Sequence, residues 1–197
     1  MILQVIQVKC PKCNTAITMK QRDKLFLCDK CNTLHTRDEG IEIVPYEIAE
    51  FHPSMHGNDI YVPFWKMNCN FVIRGKQVEG GALSRLAAWA KGGSNQGVVT
   101  IFIPASDMDP ATFRKYVTLF LTNPPKYTTR FNFGGVKNLP AVTSKKEAIE
   151  LADFAVVTME AEQPGTLQSL DYVLTVNDAK VVYLPFLAAP AGLTPAL

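Results

Sequence analysis

Apolar and polar side chains alternate most clearly from Trp65 to Ile73, the period of a strand with one buried face. The same run begins at Ile60 and enters the strand through Pro63, so it predicts one long strand over 60–73. Cys69 stands between Asn68 and Asn70, which predicts an inward-facing thiol with Met67 and Phe71 outside or in another layer. Val98 to Pro104 is a continuous β-branched run and reads as a buried strand. Helical signals lie elsewhere. Ala82 to Lys91 predicts a short helix stopped by Gly92-Gly93, and Asp109-Pro110 opens a second that ends at Asn123-Pro124-Pro125. Ser144 and Glu147 have capping-box spacing for a helix reaching about Glu162. Leu170–Val176 and Lys180–Phe186 read as a hairpin that turns at Asn177-Asp178. Strands and helices follow no β-α-β rhythm, so the body is α+β.

The first 45 residues differ in kind, because their strand-like runs are too short to bury a core of their own. Leu3–Val8 and Leu25–Leu27 each lead into a cysteine pair: Cys10-Pro-Lys-Cys13-Asn-Thr and Cys28-Asp-Lys-Cys31-Asn-Thr, with fourteen residues between the pairs. Two thiolates two residues apart grip one face of a tetrahedral ion, and a second pair closes the other. Asn14 and Asn32 fall where the chain turns through a left-handed conformation, which Asn tolerates better than any residue but Gly. Cys10, Cys13, Cys28 and Cys31 are therefore expected to hold one structural Zn2+ that supplies the missing folding energy. His35 offers a spare nitrogen nearby, yet with four thiolates present it reads as an exposed strand residue.

By these knuckles the segment resembles the zinc-ribbon family, a class of small zinc-finger modules. The resemblance implies a β fold and a bound metal, not a task. Rubredoxin-type knuckles hold iron but usually carry Gly where this chain has Asn14 and Asn32, which favours zinc. The Tyr61-Val-Pro-Phe-Trp65 strand after such a module is similar to poorly characterised prokaryotic zinc-ribbon proteins, some labelled primosomal-helicase-like; no helicase motif accompanies it. Tyr183-Leu-Pro-Phe186 repeats part of that run, read as two strands that each enter the core through a proline. The organisation expected is a ribbon over 1–45, an α+β domain over 46–187 and a Pro-rich apolar arm over 188–197.

Charge bears on partners. The formal net charge of +2 leaves the cysteines neutral; four thiolates and one zinc bring the total near zero. Residues 1–50 hold seven basic and seven acidic side chains, not the positive excess of a phosphate-gripping module. Residues 110–146 contain Arg114, Lys115, Lys126, Arg130 and Lys137, with Lys145 and Lys146, and no acidic residue. Tyr116, Tyr127, Phe131 and Phe133 are interleaved, as on a stacking surface for single strands. That stretch is the candidate anionic-ligand surface.

Signatures of catalysis are missing: there is no phosphate-cradling Gly-Lys loop and no nucleophile elbow. His52 and His56 bracket Pro53 and cannot share a helical face. No run of eighteen apolar residues predicts a membrane span, and no secretory leader opens the chain, so a reducing cytoplasm is the expected compartment. The leading expectation is a non-enzymatic adaptor or accessory subunit whose ribbon and uncharged tail dock on a protein partner or a second copy. The alternative is a nucleic-acid-binding protein that uses 110–146.

Overall fold

The computed structural model describes residues 5–20, 22–37, 40–54, 57–79, 96–161, 166–190 and 192–197. The helix expected over 82–91 and the side chain of His56 lie outside them.

The N-terminal region holds a hairpin of β1 (Val5–Lys9) and β2 (Ala16–Lys20), then a three-stranded sheet of β3 (Leu25–Cys28), β4 (Thr33–Thr36) and β5 (Glu42–Val44). The body is a seven-stranded sheet with helices against it, a mixed α+β architecture as expected. Its frame is two long antiparallel strands, β7 (Asp59–Glu79) and β11 (Thr166–Ala189). Around them lie β6 (Tyr46–Ala49), β8 (Gln96–Pro104), β9 (Thr129–Arg130), β10 (Lys137–Asn138) and β12 (Gly192–Pro195).

The hydrophobic pattern of β7 explains its packing. Tyr61, Trp65, Met67, Cys69, Phe71 and Ile73 face one cluster, while Val62 and Phe64 face a second. From Tyr61 to Trp65 both faces are buried and the sequence is unbroken apolar; beyond it the even positions Lys66, Asn68 and Asn70 turn polar because that face opens to water. Met67 and Phe71 thus share the buried face of Cys69, a correction of the sequence reading that side-chain alternation requires. Helix α1 (Pro110–Thr122) starts with the Asp109 carboxylate accepting from the N–H groups of Ala111 and Thr112 at 3.0 Å. It contributes Tyr116 and Phe120 to the second cluster and Val117 and Leu121 to the first. Helix α2 (Lys145–Ala161) opens on the expected capping box: Glu147 N–H donates to Ser144 Oγ (3.1 Å) and Ser144 N–H to Glu147 Oε2 (2.7 Å). Ala148, Ala152 and Ala155, one turn apart, let α2 approach the sheet closely. Trp65 Nε1–H donates to the Thr143 carbonyl at 2.9 Å and fixes the entry to α2.

The expected hairpin at Asn177-Asp178 does not form. Val176 pairs with Cys69 and Asp178 with Asn68, so Asn177 is the extra residue of a bulge in one continuous strand. Residues suited to a turn also suit a bulge, and only pairing along the full length of β7 decides between them.

The two Tyr-x-Pro-Phe runs lie side by side, antiparallel, with Val62 opposite Leu184. A local twofold passes between them, and their surroundings repeat. The Pro63 carbonyl accepts from Ala105 N–H and the Pro185 carbonyl from Ala196 N–H, each at 2.9 Å. Phe64 stands opposite Pro104, and Phe186 opposite Pro195. The Ala105 carbonyl accepts from Val142 N–H (2.7 Å) and the Ala196 carbonyl from His52 N–H (2.9 Å). Phe64 and Phe186 stack across the axis, 5.9 Å apart. The repeat is therefore an internal structural duplication, not two independent strand entries.

This duplication places the C-terminus. Residues 192–195 pair with β11, Ala196 is fully buried, and Leu193 and Leu197 pack on the second cluster. Tyr116 Oη–H donates to the Leu193 carbonyl. The segment expected to extend as an arm beyond the core is a half-exposed edge strand packed on the second cluster, where its leucines are partly buried within the same chain. Cys10, Ile17, Phe26 and Cys28 form a small cluster of their own, yet residue 45 is not a clean boundary. Leu25, Leu34 and Val44 belong to the same cluster as Trp65 and Ile103, and the Ala141 carbonyl accepts from the N–H groups of Lys24 and Leu25.

Candidate metal centre

Each cysteine pair closes a tight turn of the same design. Asn14 N–H donates to the Cys10 carbonyl at 2.8 Å, and Asn32 N–H to the Cys28 carbonyl at 2.7 Å. Both asparagines take the left-handed conformation expected of them, with φ of 58° and 50°. The turns bring the four sulfurs together: Cys10 Sγ lies 3.6 Å from Cys31 Sγ, and Cys13 Sγ 3.5 Å from Cys28 Sγ, with all four within 4.8 Å of one another. A tetrahedral ion with bonds of about 2.3 Å separates its sulfurs by about 3.8 Å. The donor set therefore fits a metal ion such as zinc, and four sulfurs fill a tetrahedron.

The surroundings of the sulfurs are polar in a patterned way. Thr15 Oγ1 stands 3.2 Å from Cys13 Sγ, and Thr33 Oγ1, whose hydroxyl donates to the Cys31 carbonyl at 3.3 Å, stands 3.3 Å from Cys31 Sγ. The Thr15 contact, with its backbone N–H, draws the Cys13 thiol down to about 6, and the Thr33 hydroxyl lowers that of Cys31. Burial pushes Cys28 up to about 11, which a bound cation would reverse.

His35 departs from expectation. It is fully buried, packs against Phe26 with ring centroids 5.2 Å apart and the planes tilted by 32°, and places Nε2 3.3 Å from Cys10 Sγ. Burial, then the charge of Lys12, lower its pKa. Alternation along β4 would leave His35 on the open face; Thr33, Leu34 and His35 are instead all buried, so both faces of the strand are covered.

The basic residues singled out in the sequence lie on separate elements. Arg114 and Lys115 are exposed on α1, Lys126 is in the connection to β9, Arg130 is in β9 and Lys137 is in β10. Lys115 Nζ lies over the Tyr116 ring at 5.5 Å. The Arg130 guanidinium folds over Gly134 so closely that a Cβ there would lie 2.5 Å from Nη2. Phe133 packs between the rings of Tyr61 and Tyr183, at 5.3 and 4.9 Å, whereas Phe131 is 98% exposed.

A polar network that the sequence did not announce crosses the open face of the sheet. Lys66 Nζ donates to Tyr127 Oη (2.9 Å), Tyr127 Oη–H to Glu47 Oε2 (2.9 Å), and Lys180 Nζ to Glu47 Oε1 (2.5 Å). Lys66 and Lys180 are directly opposed across β7 and β11, a repulsive pairing that the single carboxylate relieves. Burial alone would raise the Glu47 pKa, but Lys180 and Tyr127 hold it below the ordinary carboxylate range. Among the described residues no helix is long and apolar enough to cross a membrane. Comparison of the chain with protein-family models, curated proteins and solved structures gives no match.

Proposed function

We propose that this chain is a non-enzymatic accessory protein in which a zinc-ribbon module with one structural Zn2+ stabilises a body that binds a protein partner. The observation that carries the reading is the closed set of four sulfurs at tetrahedral spacing, which leaves no coordination position for a substrate or an activated water. The C-terminal segment no longer supports docking, since it is packed on the chain's own second cluster. Support passes to the apolar groove between α1 and α2, a cavity of about 200 Å3. Phe113, Val117, Leu151 and Phe154 line it, and Phe154 remains 63% exposed, an apolar side chain available to another surface. The test is purification under native, chelator-free conditions with metal analysis and mass spectrometry of co-eluting proteins, repeated on Phe154→Asp. The variant should keep one equivalent of zinc and lose the partner. A partner retained by the variant removes the groove from the reading, and iron in place of zinc removes the structural-zinc assignment.

One observation favours a second reading, nucleic-acid binding. Phe131 stands almost wholly in solvent beside Arg130, with Lys126 and Lys137 exposed on the flanking segments. Titration with a single-stranded oligonucleotide decides. Submicromolar affinity that falls steeply with salt, and with Phe131→Ala and Lys137→Ala, would place this reading first.

A further inference from the structure

The cysteine cluster is built from two copies of one motif, and the copies differ at one position that touches a sulfur. Aligning Cys10-x-x-Cys13-Asn-Thr-Ala-Ile17 with Cys28-x-x-Cys31-Asn-Thr-Leu-His35 sets Ile17 against His35. Other features near the sulfurs obey the repeat: the two left-handed asparagines, the two carbonyl-closing N–H groups, and the two threonine hydroxyls beside Cys13 and Cys31. His35 crosses from the second knuckle to the first, where its Nε2 is 3.3 Å from Cys10 Sγ. Its counterpart Ile17 lines the same depression as Cys28 and has no donor to offer. The hydrogen-bond partners of Cys28 are the backbone N–H groups of Cys31 and Lys30 and the side chains of Cys13 and Cys31.

We propose that His35 is a positioning residue of the metal centre, donating its Nε2–H to the Cys10 thiolate and making the two halves of a repeated site chemically unequal. This rests on the reading of the four cysteines as a zinc site. A metal-bound thiolate has no proton to give, so a contact with an imidazole nitrogen is favourable only when that nitrogen carries the hydrogen. The buried Nδ1 atom has no hydrogen-bond partner among the described residues, which is the cost of keeping this ring in place. An apolar residue such as the Ile of the first knuckle would avoid that cost, so the ring is retained for the sulfur contact. Four thiolates around a divalent ion leave an excess of two negative charges in a small volume. A donated N–H withdraws charge from one sulfur, fixes its orientation, and slows its protonation and loss from the metal. Donors of this kind next to metal ligands typically change metal affinity by about 10–100-fold.

The experiment first establishes one equivalent of zinc in the wild-type full-length chain, which tests the underlying reading separately. The wild-type protein is then loaded with cadmium-113 and the His35 Nε2-bound proton is observed by NMR. Scalar coupling between that proton and the metal, transmitted through sulfur, is the expected result; a visible proton without coupling overturns the proposal. Two variants follow. His35→Leu should bind zinc about 10–100-fold more weakly in competition with a chromophoric chelator and move the sulfur-to-cobalt charge-transfer band of the cobalt-loaded protein to lower energy. His35→Gln, whose amide nitrogen can occupy the place of Nε2, should restore both. If His35→Gln behaves like His35→Leu, or if neither variant differs from wild type, His35 is a packing residue and the proposal fails.

Discussion

At the scale of single residues, backbone geometry and burial carry most of the consequences. Asn32 holds φ at 50°, where a β-branched side chain clashes with its own backbone. Asn32→Gly should leave the melting temperature of the zinc-loaded protein nearly unchanged, whereas Asn32→Val should lower stability by about 1–2 kcal/mol. Equal losses in thermal denaturation would show that the asparagine side chain, not the backbone conformation, matters there. Cys69 presents the opposite case, a cysteine remote from the cluster. Burial raises its thiol to about 12, so the thiolate form is scarce at neutral pH. Alkylation of the native protein should spare Cys69 and modify it only after denaturation, as peptide mapping can establish. Labelling of Cys69 under native conditions would show that β7 opens readily.

At the scale of elements, helix α2 depends on its first turn. Ser144→Ala removes a cap worth roughly 1 kcal/mol, which chemical denaturation should detect. The pH dependence has a definite sign. The Ser144 backbone N–H, then its hydroxyl, hold the Glu147 carboxyl below its ordinary value. A group whose pKa is depressed on folding stabilises the fold above its unfolded pKa, and that contribution disappears as pH falls through the folded value. The stability difference between wild type and Glu147→Gln should therefore be largest near neutral pH and close below about pH 4. A difference that persists in acid would assign the loss to packing. The capping box was legible in the sequence because it is local, four residues reading one another. The hairpin was misread because the choice between a turn and a bulge at Asn177 belongs to the partner strand, 110 positions away where Asp178 meets Asn68.

At the scale of the whole molecule, the cysteine-bearing region and the C-terminus are both tied into the body. Deleting residues 190–197 removes β12, uncovers the second cluster and breaks the bond from Tyr116 to Leu193. Two partly buried leucines put the expected loss at about 2–4 kcal/mol, measured by denaturant titration. An unchanged midpoint would return the segment to the role of a free arm. Metal removal should also be felt beyond the first 45 residues. Leu25 and Leu34 share a cluster with Trp65, so stripping the metal should lower the melting temperature of the body as well as unfold the knuckles. Cys13→Ser or Cys31→Ser should do the same; a body that melts as before would show that the shared cluster contributes little.

What the sequence by itself determined is everything whose physics is local. The two cysteine pairs, the left-handed asparagines, the caps at Asp109 and Ser144, and the alternating strand from Trp65 follow from neighbours within a few positions. The tertiary structure alone decided which distant segments meet. Nothing near His35 announces Cys10, twenty-five positions earlier, because the contact exists only once the second knuckle has folded against the first. The C-terminal residues read as a free apolar arm because their partner strand and the twofold relation to Pro104-Ala105 appear only when β7 and β11 are laid side by side. The two Tyr-x-Pro-Phe runs were visible as words. Their meaning as one repeated unit came from the hydrogen bonds that Pro63 and Pro185, lacking an N–H, make only through their carbonyls.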